Sequence, residues 1–159
     1  MIDGRLFRGW AELGHLVVQE GGAECTCGGR GHLEVLASGT AGDRAAHELW
    51  GQGADAHTLV ERAHAGDGEA REALVRIGSS LGAAIASLVN VFDPELVVVG
   101  GGFGAAAGDL VLEPAREAAR ADAIFPANRG VRIVPAELGS EAGLVGAGLV
   151  AFEALEGVR

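Results

Sequence analysis

The sequence predicts an α/β domain, and three observations carry that prediction. Apolar side chains recur at every third or fourth position across residues 67–92, the spacing of a helix with one buried face. A run at 95–99, apolar throughout after Glu95, then empties into Gly100, Gly101 and Gly102. A second helical pattern at 109–121 leads to another β-type run at 131–135. Strands and helices in alternation belong to an α/β lobe, in which helices bury the faces of a sheet.

The chain opens with Asp3-Gly4 between apolar positions, a hairpin signal. Ile2 ends one strand of that hairpin, and Leu6 and Phe7 begin the next. The first of these strands is almost absent, so the chain is expected to begin inside a domain. Leu16-Val17-Val18 is a short β-type run, and residues 21–31 form a loop rich in Gly and Cys. Residues 43–50 read as a short helix, and Thr58 as the cap of another that runs to about Ala65.

The long helix at 67–92 presents Leu74, Ile77, Leu81, Ile85, Leu88 and Phe92 on one face. Asp93-Pro94 stops it, because the residue before a proline is pushed out of the helical region. The run at 95–99 has no polar alternation after Glu95, which predicts a central strand covered on both faces. Pro114 is expected within the first turn of the helix at 109–121, where its missing N–H costs nothing. Glycines and a serine at 139–143 lead into a last helix through about Leu155. There is no repeat and no low-complexity linker.

Composition excludes several function classes. The chain has 159 residues, the length of one domain or one lobe of a larger protein, and 48% of them are hydrophobic. The formal net charge is −10, and the 12 basic residues are all Arg and scattered. Binding to nucleic acid needs clustered cations to neutralise phosphates, so this segment is not expected to bind it. No apolar run approaches the length that spans a bilayer, and the N-terminus has no signal-peptide core. The resulting expectation is a cytoplasmic protein without membrane contact. The two cysteines, Cys25 and Cys27, are one residue apart. A disulfide there would be strained, so metal ligation or free thiols are the alternatives.

His15, Cys25, Cys27 and His32 lie close together in sequence. Two thiolates and two imidazoles suit a structural zinc ion, which prefers four N and S ligands in a tetrahedron. The Gly28-Gly29 pair lets the backbone fold tightly around an ion. The competing reading is two free thiols and two surface imidazoles. Taken alone, Glu12 and Glu34 read as solvated surface acids, and the glycine triplet as a strand-to-helix turn. His47, His57 and His64 have no partner pattern and read as surface residues.

The stretch Ala11-Glu12-Leu13-Gly14-His15, followed by Cys25-Thr26-Cys27-Gly28-Gly29-Arg30-Gly31-His32-Leu33-Glu34, resembles the zinc loop of ROK sugar kinases. That family reads G-E-x-G-H, then C-x-C-G-x-x-G-C-x-E and an A-S-G-type segment, here Ala37-Ser38-Gly39. Asn90-x-x-x-Pro94-Glu95 and the Gly100-Gly101-Gly102 triplet resemble the family's second nucleotide-binding segment. Gly139, Gly143, Gly146 and Gly148 resemble its closing glycine-rich helix start. The resemblance covers essentially the whole chain but only about the latter half of a family member.

It implies the C-terminal lobe of the actin-like ATPase, or ribonuclease H-like, sugar kinase fold, with an inserted zinc loop at about 11–39 and a nucleotide-side half at about 67–155. Carried over by residue, the metal ligands are His15, Cys25 and Cys27. The fourth position departs from the pattern, with His32 in place of a cysteine. Glu12, His15 and Glu34 are the implied sugar contacts, since carboxylates accept hydrogen bonds from sugar hydroxyls. Gly100, Gly101 and Gly102 are the implied nucleotide contacts. A second departure is a shortened glycine- and alanine-rich stretch before Glu12.

The implied reaction is transfer of the ATP γ-phosphoryl group to the 6-hydroxyl of glucose or a related hexose, with Mg²⁺ and a structural zinc. The family's phosphate loop, D-x-G-G-T, and its catalytic base, the aspartate of an N-D pair, belong to the N-terminal lobe, and neither motif occurs here. The chain alone is therefore expected to be inactive, with no catalytic base of its own. The resemblance also implies a homodimer. Two other readings stay open: the sugar-sensing lobe of a ROK transcriptional repressor, and a non-catalytic zinc-stabilised dimerisation or binding domain.

Overall fold

A computed structural model describes residue 7 and residues 9–127 and 130–156. The Asp3-Gly4 hairpin lies outside the described residues. The architecture is α/β, with helices dominating. In order come a 3₁₀ turn at Leu13–His15, α1 (Leu33–Leu36), α2 (Gly39–Trp50), α3 (Ala56–His64), α4 (Gly68–Phe92), β1 (Leu96–Val99), α5 (Gly102–Ala107), α6 (Asp109–Asp122), β2 (Arg132–Pro135), a 3₁₀ turn at Gly139–Glu141 and α7 (Ala142–Glu156). β1 and β2 pair in parallel, with Leu96 opposite Arg132 and Val99 opposite Pro135. The crossover between them runs through α5 and α6.

The helix starts follow local chemistry. Asp67 caps α4 by accepting from the Ala70 amide, and Asp93 ends it in the left-handed conformation, φ 44°. α2 begins at Gly39, earlier than the predicted 43, because the Ser38 hydroxyl oxygen accepts from the Thr40 amide. Thr58 is not the cap of α3. Asp55 is, accepting from both the amide and the hydroxyl of Thr58 at 2.8 Å.

Two hydrophobic clusters meet along α4. One gathers Leu59, Val60, Leu74, Ile77 and Val111 from α3, α4 and α6. The other gathers Ile85, Val89, Leu112 and Ile133 against β2. α4 and α6 approach closely because α4 presents glycines to its neighbour. A Cβ on Gly78 would strike the Val111 carbonyl, and one on Gly82 would lie 2.6 Å from the Ala118 Cβ. Burying this apolar surface stabilises the pair by roughly 25 cal/mol per Å² removed from water.

Several expectations are corrected. Leu16-Val17-Val18 is not a strand; it contributes one antiparallel bridge, Val17 to His32, because the chain turns away through Val18 and Gln19 amides that both donate to the Gly31 carbonyl. The buried face of α4 ends on Val89 rather than on Leu88 and Phe92; Phe92 is 59% exposed, since the last turn runs past the core. β1 is not covered on both faces among the described residues. Val97 and Val99 pack on the second cluster, whereas Leu96 and Val98 stay exposed.

Pro114 sits in the second turn of α6, not the first, where it packs beside Gly78. α1 and α5 had no counterpart in the sequence reading. α4 is also long and apolar enough, by length and composition alone, to cross a membrane, although Glu69, Arg71, Glu72 and Arg76 interrupt its apolar run. Its buried side chains form the core just described. His57 and His64 are exposed but not without partners. His57 lies 3.5 Å from the Glu61 carboxylate, and His64 Nε2 lies 3.1 Å from the Ala106 carbonyl oxygen.

Candidate metal centre

The loop between the first 3₁₀ turn and α1 closes on itself through backbone bonds. Gly31 N–H donates to the Ala23 carbonyl, Cys25 N–H to that of Gly29, and Leu33 N–H to that of Leu16, at 2.8 to 2.9 Å. Gly28 and Gly31 occupy the left-handed region, φ 90° and 68°, which side chains with a Cβ rarely adopt. A Cβ on Gly31 would also strike the Gln19 carbonyl.

This fold brings all four predicted ligands together. One donor atom from each of His15, Cys25, Cys27 and His32 lies within 4.8 Å of all the others. His15 Nδ1 and His32 Nδ1 are 3.4 Å apart, Cys27 Sγ is 3.3 Å from His32 Nδ1, and Cys25 Sγ is 3.9 Å from His15 Nδ1. Zinc–ligand bonds of about 2.3 Å to sulfur and 2.05 Å to nitrogen set tetrahedral edges of about 3.3 Å for N···N and about 3.5 Å for S···N. The His15–His32 and Cys27–His32 edges lie close to these values and the Cys25–His15 edge, at 3.9 Å, is longer, so the donor set fits zinc in chemistry and broadly in spacing. The two rings meet edge to face, 5.3 Å between centroids. Both cysteines are free. Cys25 is buried and Cys27 exposed. The Cys27 amide beside the Cys25 sulfur holds its thiol below the ordinary value, burial opposes this, and further contacts with Cys27 and Thr26 reinforce the lowering. A lowered thiol yields the thiolate that metals require.

Of the predicted sugar contacts, His15 closes the 3₁₀ turn and Glu34 lies in the first turn of α1. Glu34 Oε2 sits over Gly14, 3.3 Å from where a Cβ would stand. An exposed carboxylate is thereby placed against the residue that precedes His15. Glu12 begins the same turn, and its carbonyl accepts from the His15 amide at 3.0 Å. Its carboxylate is exposed and takes no part in capping.

The glycine triplet lies elsewhere, at the end of β1. Gly100, Gly101 and Gly102 line a cavity of about 400 Å³ together with Ala37, Ser38, Gly39, Phe103 and Val111. Gly101 has φ 91°, so the turn there excludes most side chains. Sequence reasoning singled out the triplet and the Ala37-Ser38-Gly39 segment separately and did not join them. It also gave Ser38 and Phe103 no role. Ser38 was legible as a helix cap, but its meeting with β1 depends on how α2 packs beside α5.

A family model described as the ROK family matches residues 1–154. The chain is similar to a glucokinase of Thermotoga maritima, 36% identical over 92% of this chain and 50% of that protein. It spans about half the length of the curated relatives it matches first. Among solved structures, a ROK hexokinase from Thermus thermophilus shares 37% identity at a TM-score of 0.81, covering 96% of this chain and 52% of that one. A ROK family glucokinase from Streptomyces griseus, solved in complex with glucose and AMPPNP, shares 34% at 0.79, covering 90% and 53%. A ROK family transcriptional regulator, a homologue of the E. coli MLC protein, shares 26% at 0.68, covering 77% and 33%.

Proposed function

The chain belongs to the ROK family, and from that premise we propose that it is the C-terminal lobe of an ATP-dependent hexose kinase that acts on the 6-hydroxyl of glucose or a close relative. The observation that carries this reading is the convergence of His15, Cys25, Cys27 and His32 within 4.8 Å, with Glu34 held against the turn that bears His15. In this reading zinc is structural: it ties the loop together and fixes the His15 ring. Glu12 and Glu34 accept hydrogen bonds from sugar hydroxyls, and ionised carboxylates make these stronger than neutral acceptors do. His15 holds its ring toward the same sugar from the metal side.

The cavity between Ser38 and the glycine triplet receives part of the nucleotide, because backbone without Cβ atoms admits a ligand closely. Phosphoryl transfer itself needs a phosphate cradle, Mg²⁺ and a base for the attacking hydroxyl. No residue of this chain is assigned those roles; in the complete enzyme, ATP and Mg²⁺ meet the sugar with residues of an N-terminal lobe. The lobe is cytoplasmic and homodimeric in this reading.

The test is the zinc content of the purified protein beside a Cys25→Ser control, followed by calorimetric titration with glucose. About one zinc per chain, lost in the control, together with glucose binding that Glu34→Gln weakens, supports the reading. Zinc-free folded protein that binds no sugar sinks it. Sustained sugar-dependent ADP release by this chain alone would overturn the assignment of the base elsewhere. The similarity to the transcriptional regulator favours one second reading, a sugar-sensing lobe of a repressor. An upstream helix-turn-helix in the parent gene points to it, whereas an upstream D-x-G-G-T and N-D pair point to the kinase.

A further inference from the structure

We infer that Gly29 is the residue that lets an imidazole rather than a thiolate serve as the fourth ligand of the metal centre. The inference rests on the metal reading above and extends it to a position that reading leaves without a role. The three glycines between Cys27 and His32 each have a different physical reason to lack a side chain. Gly28 needs its left-handed conformation, and a Cβ there would meet nothing within 4 Å. Gly31 needs both its conformation and the close approach of the Gln19 carbonyl. Gly29 has neither demand from the backbone. Its φ lies outside the left-handed region, and the three atoms nearest to a Cβ there all belong to the His32 ring: it would strike Cε1 and lie 2.7 Å from Nε2 and 3.3 Å from Nδ1.

The ring therefore lies on the bare face of Gly29, and that placement aims Nδ1 at Cys27 Sγ and His15 Nδ1, 3.3 and 3.4 Å away. The backbone cannot withdraw to make room, because the Gly29 carbonyl accepts the 2.8 Å bond from the Cys25 amide that seats another ligand. In metal-free protein a methyl group on residue 29 costs little, since the His32 side chain can rotate away. With Nδ1 fixed on a metal the ring has no such freedom. A cysteine at position 32 has no ring and needs no clearance. Gly29 and His32 thus act as a pair, the glycine being required only while the histidine is the ligand.

The test compares the parent, Gly29→Ala, His32→Cys and the double variant by zinc competition with a chromogenic chelator, by cobalt(II) spectra, and by melting of the metal-free proteins. Gly29→Ala is expected to weaken zinc binding by ~10- to 100-fold, the usual cost of disturbing a ligand's support, with metal-free melting unchanged. In the His32→Cys background the same change is expected to leave affinity unaltered, with a stronger thiolate-to-cobalt band reporting the added sulfur. Gly28→Ala serves as the fold control and is expected to lower metal-free stability instead. Equal losses from Gly29→Ala in both backgrounds, or no loss in the parent background, would overturn the inference while leaving the metal reading intact. A parent that binds neither zinc nor cobalt overturns the metal reading and this inference with it.

Discussion

The loop at 15–32 and the α4–α6 helix pair are held together by different means. Between His15 and His32 the one buried hydrophobic side chain is Cys25. Order there comes from backbone hydrogen bonds, three left-handed glycines and four convergent donor atoms. α4 instead buries Leu74, Ile77, Ile85 and Val89, and meets α6 through Gly78 and Gly82. The helix pair draws its stability from apolar area removed from water, which needs no ligand. The loop has too little apolar surface to offset the entropy of ordering its backbone, so a metal supplies the difference in the reading proposed here. Disturbing one region should therefore leave the other largely unchanged.

The largest effect should come from the core. Leu74 is fully buried, and Leu74→Ala is expected to cost ~2–5 kcal/mol through lost burial and the cavity left behind. Urea denaturation measures this, and the folded fraction should keep its zinc stoichiometry. Gly82→Val should follow at ~1–3 kcal/mol, because the added atoms meet the Ala118 Cβ and the Ala115 backbone. A loss of zinc in either variant without unfolding would show that the two regions are coupled.

Metal removal sharpens the contrast from the other side. Dialysis against a chelator should speed amide exchange of Cys25, Gly31 and Leu33, whose hydrogen bonds close the loop, and leave the centre of α4 protected. Equal acceleration in both regions would contradict a separate, metal-held loop.

The smallest effect belongs to the Asp55 cap. Hydrogen bonds from the Thr58 amide and hydroxyl hold its carboxyl below the ordinary value of 3.8, against a small opposing effect of burial. A group lowered on folding contributes stability above its unfolded value and loses it as pH falls through the folded one. Asp55→Ala should therefore lower the melting temperature slightly at neutral pH, and the difference from the parent should close as pH falls below the ordinary value of 3.8 and through the lowered folded one. Melting curves across that range check the sign.

Much of the molecule was legible in its sequence, though unevenly. The long helix was read to within a residue, because its period and its Asp67 and Asp93 ends are local signals. His15, Cys25, Cys27 and His32 were read as one set, because two thiols and two imidazoles at short spacing suit a single ion, and the structure brings a donor atom of each within 4.8 Å of the others. The strand at Leu16-Val17-Val18 was misread, since β-branched residues signal a strand only where a partner strand exists. The exposed face of β1 was likewise beyond a reading of one run of valines, because coverage depends on what packs there.

The sequence by itself determined the chemistry available: which donor atoms sit within one short loop, which glycines free the backbone, and which apolar stripe each helix carries. Those are local properties of covalent structure and spacing. Only the tertiary structure decided that Glu34 rests on Gly14, that Ser38 and the glycine triplet share one cavity, and that the His32 ring lies against the bare face of Gly29. Each of these joins segments or atoms whose separation is set by chain folding, and distance in space is a quantity that spacing along the chain does not contain.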